Sequence, residues 1–168
     1  MVAVLEFGAT MNVLVVTETC FGNTARVADA IVAGLRSHGA VVTVADAASA
    51  PAVDHVDLLL VGAPTHSMGL PGPGTRRQAE AKGGNPPAIG VAEWLNALPG
   101  KQTCRGAAFD TVTGRGFFSG SAAKGIEKRL RRHGVDVVAR ESFLVNAMEG
   151  PPADGELARA ERWGASLG

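Results

Sequence analysis

The residues best suited to chemistry in this chain fall in three short stretches. The first, Thr17-Glu18-Thr19-Cys20-Phe21-Gly22-Asn23-Thr24, combines hydroxyls, a thiol and a glycine, and leads straight into a helical pattern. A loop that opens a helix turns its backbone N–H groups toward one point at the positive end of the helix dipole, so it suits an anion. No lysine follows Gly22 to complete GxxxxGK[ST], and GxGxxG occurs nowhere, so a phosphate monoester fits better than a triphosphate or a dinucleotide. The second stretch, Gly62 to Leu70, carries Thr65, His66, Ser67 and Met68; the third, Asp110 to Gly120, carries Asp110, Thr111 and Thr113. His66 is the candidate catalytic side chain, able to donate to a ligand oxygen or to stabilise negative charge, with plain loop packing as its alternative. Met68 suits the edge of an aromatic ligand through its polarizable sulfur, and equally suits gap-filling. Asp110, at a strand end, is a candidate for proton transfer, although an ionised acid is disfavoured next to an anion.

Cys20 and Arg26 satisfy C-x5-R, a spacing at which a thiolate formed at a helix N-terminus attacks phosphorus while the guanidinium binds the phosphoryl oxygens. The competing reading makes Cys20 a small residue in a variable loop. His38, His55, His133 and Cys104 are scattered and show no metal-ligand spacing, so no metal is expected.

These loops need a scaffold, and the chain supplies short apolar strands alternating with helical patterns throughout, the signature of a parallel sheet covered on both faces. Five strands are expected: Val13 to Val16, Val41 to Ala45, Val56 to Val61, Gly106 to Asp110, and Val135 to Val145 with a break near Arg140. Leu58-Leu59-Leu60-Val61 has the unbroken apolar character of a central strand. Val27, Ile31 and Leu35 mark a helix stopped by Gly39, and Ala122, Ile126 and Leu130 a second one stopped by Gly134. Leu157, Ala160, Gly164 and Leu167 mark a C-terminal helix capped by Asp154, and Val91 to Leu98 makes a shorter one. Trp94 and Trp163 fall at helical spacing as packing residues. The Gly- and Pro-dense stretch from Gly69 to Gly90 reads as a long loop. In such a sheet ligands bind beyond the carboxyl ends of the strands, where the three chemistry-bearing stretches lie.

TETCFGNTARVADAI resembles the phosphate loop and first helix of flavodoxin-like FMN proteins, and VDLLLVGAPTHSMG resembles their third strand and ring-binding loop; the likeness runs from about Met11 to the last helix. It implies a three-layer doubly wound α/β fold, a parallel five-stranded sheet of order 2-1-3-4-5, and non-covalent FMN. By the same resemblance, Thr19, Cys20, Phe21, Gly22, Asn23 and Thr24 would surround the phosphate. Pro64, Thr65, His66, Ser67, Met68 and Gly69 would line one side of the isoalloxazine, and Thr111, Val112, Thr113, Gly114, Phe117 and Phe118 the other. The chain has no Tyr, the residue that stacks on the outer flavin face in many of these proteins; Gly116 falls near that place, with Phe117 or Phe118 as substitutes. GAPTH is similar to the loop of flavodoxin-like quinone reductases, implying electron transfer with a redox partner, or reduction of a small acceptor such as a quinone by a nicotinamide nucleotide. The C-x-G-N-x-x-R core separately resembles the nucleophile loop of low-molecular-weight tyrosine phosphatases. A phosphomonoesterase using Cys20 and Arg26, or a binding module of the same fold without redox activity, therefore stays open as an alternative.

Composition bounds these readings. The chain has 168 residues, 16 basic and 16 acidic side chains and 46% hydrophobic residues, a globular profile with core enough for one domain. Residues 11–168 are expected to form that domain, after an N-terminal extension of residues 1–10. Zero net charge disfavours a nucleic-acid grip, and the basic cluster Lys124, Lys128, Arg129, Arg131 and Arg132 reads as a solvated helix face. No apolar run approaches the roughly 20 residues of a membrane span, and two cysteines without a secretion signal suggest the cytoplasm.

Overall fold

A computed structural model describes residues 9–116 and 119–168. Five parallel strands form one sheet in the order β2-β1-β3-β4-β5: β1 (Asn12–Thr17), β2 (Val41–Asp46), β3 (Leu58–Pro64), β4 (Arg105–Val112) and β5 (Asp136–Leu144). The helices are α1 (Asn23–Ser37), α2 (Pro73–Ala81), α3 (Val91–Asn96), α4 (Ala122–Arg132) and α5 (Glu156–Ser166).

Alternation along the strands splits the core into two layers. Leu14, Val16, Leu59 and Val61 face Val91, Leu95, Ile126 and Leu130 on the side of α3 and α4. Val13, Val15, Leu58 and Leu60 face Val27, Ile31 and Leu35 on the side of α1 and α5. Trp163 meets Phe109 and Phe143 edge to face in this second layer, and Trp94 packs partly buried against the first. Helices α1 and α5 approach until a Cβ on Gly34 would lie 2.0 Å from the Glu161 carbonyl oxygen, so glycine is what permits their contact.

Several element boundaries differ from the expectation. Strand β3 begins at Leu58 rather than Val56 and runs on to Pro64, carrying its end into the site. Strand β5 is continuous through Arg140; its irregularity is an extra residue at Val138, because Gly106 pairs with Val137 while Ala107 pairs with Ala139. Helix α5 starts after Gly155, in the left-handed region at φ 81°, and not from an Asp154 cap. The Gly69–Gly90 stretch is not all loop, since it contains α2. Pro73 sits at the first helical position, where its missing N–H costs nothing, and Thr75 Oγ1 accepts from the Gly72 N–H at 3.0 Å. Only Arg76 and Ala79 of this helix are buried, so it has no apolar stripe to reveal it.

Glu156 ties β5 to α5: its carboxylate accepts from the Leu144 N–H at 2.6 Å, from Arg159 Nε and Nη2 at 2.9 Å each, and from Arg115 Nη2 at 2.9 Å. Arg159 first, with the Leu144 N–H and Arg115 assisting, holds this carboxyl down at about 2 against burial. A folded-state pKa below the unfolded one contributes stability above about pH 4.5, lost as the pH falls toward 2. The side chain is 11% exposed, so screening is slight. Glu156→Gln is expected to lose up to about 3 kcal/mol at neutral pH and to flatten the stability profile below pH about 4.5, measured by urea unfolding across pH.

Candidate functional site

The carboxyl ends of β1, β3 and β4 open into one cavity of about 220 Å³. From the first loop it is lined by Thr19, Cys20, Phe21, Asn23 and Thr24; from the second by Pro64, Thr65, His66, Ser67 and Met68; from the third by Thr111, Val112 and Thr113. Three stretches far apart in sequence are thus brought together. Gly22 and Gly69 lie outside the lining, Gly114 borders a neighbouring surface groove, and Phe117 and Phe118 fall outside the described residues.

The first loop is shaped by its own side chains. Thr19 Oγ1 accepts from the Gly22 N–H at 3.0 Å, and Gly22 takes φ 90° to turn the chain into α1 without a side-chain cap. The first N–H groups of α1 are therefore left for a ligand. Asn23 is buried and donates through Nδ2 to the Met148 carbonyl at 3.2 Å, tethering the loop to the segment after β5. Thr24 Oγ1 lies 3.0 Å from Thr111 Oγ1. One proton serves that bond, so the pair retains a second O–H to donate elsewhere.

The second loop is a tight two-residue turn. His66 and Gly69 exchange both backbone hydrogen bonds, at 2.8 and 2.9 Å, while Ser67 and Met68 take φ 44° and 71°. Two successive positive φ values define a type I′ turn, strained for side chains other than Gly, Asn or Asp. The third loop pins it: the Ser121 N–H donates to the Met68 carbonyl at 3.2 Å, and Gly120 presses against the Met68 backbone. Met68 is 57% exposed at the cavity rim.

His66 is buried, and its Nδ1 has no hydrogen-bond partner. Burial holds its imidazole below the usual histidine range, with Arg76 pushing the same way and Glu18 opposing, so the ring is neutral at physiological pH. An unpartnered ring nitrogen in a ligand-sized cleft marks a place for a ligand atom.

Asp110 does not line the cavity. Its Oδ2 accepts from Thr65 Oγ1 at 3.0 Å, Ser121 Oγ at 2.7 Å and the Ala123 N–H at 3.0 Å, fastening the second loop to the start of α4. Oδ2 thus positions Thr65, while Oδ1 is buried without a hydrogen-bond partner. The thiolate reading of Cys20 is also corrected: burial, reinforced by Glu18, pushes its thiol up to about 11, and Arg26 is exposed and outside the lining. A protonated thiol without its arginine is not a phosphoryl-transfer nucleophile.

Two groups of site residues were not anticipated from sequence. Val145 and Met148 arrive from the segment after β5. Thr75, Gln78, Ala79 and Lys82 come from α2 and its C-terminal residue, and their i, i+3, i+4, i+7 spacing is the signal that identifies the inner face of that helix. Helix α2 is anchored by a buried ion cluster. Arg76 Nε donates to Glu18 Oε1 and Nη1 to Glu93 Oε1, both at 2.6 Å, while Nη2 donates to Glu93 Oε2 at 2.8 Å, the Pro71 carbonyl at 3.2 Å and Glu18 Oε2 at 3.3 Å. Glu18 Oε2 also accepts the Val91 N–H at 3.0 Å, at the start of α3. Arg76 holds the Glu93 carboxyl below its ordinary range, and Glu93, with Glu18, raises the guanidinium in turn.

The family model described as Flavodoxin matches residues 15–163. No curated protein matches the chain significantly. Among solved structures, a flavodoxin from the domain Archaea is similar over 94% of this chain and 96% of its own, at 23% identity and a TM-score of 0.63. Oxidised Flavodoxin 1 from Bacillus cereus is 17% identical over 93% of this chain and 96% of its own, with a TM-score of 0.66. The flavodoxin of Streptococcus pneumonia TIGR4 is also 17% identical, over 94% and 97%, with a TM-score of 0.64. With the strand order and a family match over nearly its whole length, the chain belongs to the flavodoxin family of FMN-binding electron-transfer proteins.

Proposed function

We propose that this protein holds FMN in the cavity at the ends of β1, β3 and β4 and uses it to pass electrons from a nicotinamide nucleotide to a small acceptor such as a quinone. The observation that carries the reading is the convergence of all three loops on one cleft that contains the unpartnered His66 Nδ1. The lining fits the cofactor. The phosphate would meet the free N–H groups of α1 and the spare hydroxyl proton of the Thr24–Thr111 pair. The ring would sit between the His66–Met68 turn and Thr111–Thr113, with His66 offering a neutral dipole and no charge. Bound FMN would supply the chemistry of accepting a hydride equivalent and releasing electrons. The chain's own work is to bind the phosphate, to orient the ring and to set the polarity around it. A small-molecule partner is favoured by a net charge of zero, which provides no overall negative field to steer a basic redox protein.

NADH or NADPH added to the FMN-loaded protein should bleach the flavin absorbance, and a quinone should restore it. Bleaching that requires a separate reductase would make the protein an electron carrier instead. At the residue level, Thr24→Val should weaken FMN binding about ten- to hundredfold, since a hydrogen bond to a charged phosphate contributes about 1.5–3 kcal/mol. His66→Ala should move the midpoint potential of the bound flavin with a smaller loss of affinity. Potentiometry beside a fluorescence-quenching titration separates the two, and equal effects on affinity with none on potential would place His66 away from the ring.

A further inference from the structure

Helix α2 gives the site a wall whose chemistry changes from one end to the other. Thr75 stands a few residues after the ring-binding turn, and Lys82 follows it by two helical turns on the same face, about 10 Å along the axis at 1.5 Å per residue. The Lys82 end is fastened to the phosphate loop. The Asn85 N–H donates to the Cys20 carbonyl at 2.7 Å, and Gly84 packs on the Phe21 ring so closely that a Cβ there would lie 2.9 Å from Cζ.

Lys82 is the sole permanently charged side chain among the described residues that line the cavity, and no carboxylate lines it. Among the described residues it has no carboxylate oxygen within 4 Å, whereas the neighbouring Arg76 is fully engaged by Glu18 and Glu93. The phosphate loop supplies only neutral donors, and Arg26 is exposed and outside the lining.

We propose that Lys82 is the counter-cation of the FMN phosphate, so that this site separates FMN from riboflavin by charge as well as by hydrogen bonding. The inference deepens the FMN reading and rests on it. An ammonium on a flexible four-carbon stem reaches a phosphate without fixing its geometry, which suits a cation held at the rim by α2. An exposed pair of this kind is sensitive to salt.

The test compares FMN with riboflavin, each followed by fluorescence quenching at low and high salt, for the wild type, Lys82→Met and Lys82→Arg. Lys82→Met is expected to lower FMN affinity about tenfold at low salt, to flatten its salt dependence and to leave riboflavin affinity unchanged, while Lys82→Arg retains wild-type behaviour. Lys82 is exposed, so thermal unfolding of the apoprotein should be unchanged in both variants. If the wild type binds FMN and Lys82→Met binds it equally well with the same salt dependence, the counter-cation assignment fails and the FMN reading stands. A loss shared equally by riboflavin would also overturn it, as a packing effect of α2. If the wild type binds neither flavin, both the reading and the inference fall together.

Discussion

Arg76→Met is expected to lower the unfolding free energy by about 3–5 kcal/mol, a fall in Tm on the order of 10 °C for a domain of this size. The cause is the carboxylate left behind. The Glu18 side chain is fully buried and that of Arg76 is 5% exposed, so removing the guanidinium strands a negative charge with the Val91 N–H as its one remaining donor. Glu93 can turn to water, its side chain being 38% exposed, and Glu93→Gln should cost about 1 kcal/mol or less. Adding Glu18→Gln to Arg76→Met should recover more than half of the loss, because the amide oxygen still caps Val91 and no charge is stranded. Denaturant unfolding of the three variants checks this. A single-site loss under 1 kcal/mol for Arg76→Met would show that water reaches Glu18.

Gly120→Ala is expected to weaken FMN binding by ten- to hundredfold while the sheet stays intact. Gly120 takes φ 66°, and its Cβ would lie 2.2 Å from the Met68 carbonyl oxygen and 2.3 Å from Met68 Cα. Those are backbone atoms, so no rotamer relieves the overlap, and the strained Ser67–Met68 turn at the cavity rim must shift. Overpacking costs about 1–3 kcal/mol, and the left-handed conformation adds about 1–2 kcal/mol for alanine. Gly72→Ala is the control: its φ is −126°, and a Cβ there meets nothing within 4 Å. Flavin titration of both variants decides the point, with unchanged circular dichroism expected throughout. Equal affinities would mean that the turn does not touch the flavin.

The Arg76–Glu18 and Gly120–Met68 contacts join segments distant in sequence, which no local periodicity records. The sheet was legible because its residues carry their own periodicity. Leu58-Leu59-Leu60-Val61 is apolar on both sides because both faces are covered, and Val27, Ile31 and Leu35 recur every four residues because one face of α1 packs on the sheet. The loop between β1 and α1 was legible for a local reason too, since glycine and threonine at a strand-to-helix junction present N–H groups whatever lies elsewhere. Helix α2 was not legible. Its buried positions are Arg76 and Ala79, and a buried arginine reads as a surface residue until Glu18 and Glu93, from a different loop and a different helix, are seen to neutralise it. Cys20 and Arg26 met a motif in one dimension, but the fold buries the thiol and sends the guanidinium to solvent. Sequence alone determined the sheet, its order by family likeness, and the strand-to-helix loop that lines the cavity, because periodicity and loop chemistry are properties of neighbouring residues. Tertiary structure alone decided the α2 wall, the burial that lowers the His66 pKa and the hydrogen bonds of Asp110 to Thr65 and Ser121, because burial and charge pairing depend on what the rest of the chain brings alongside.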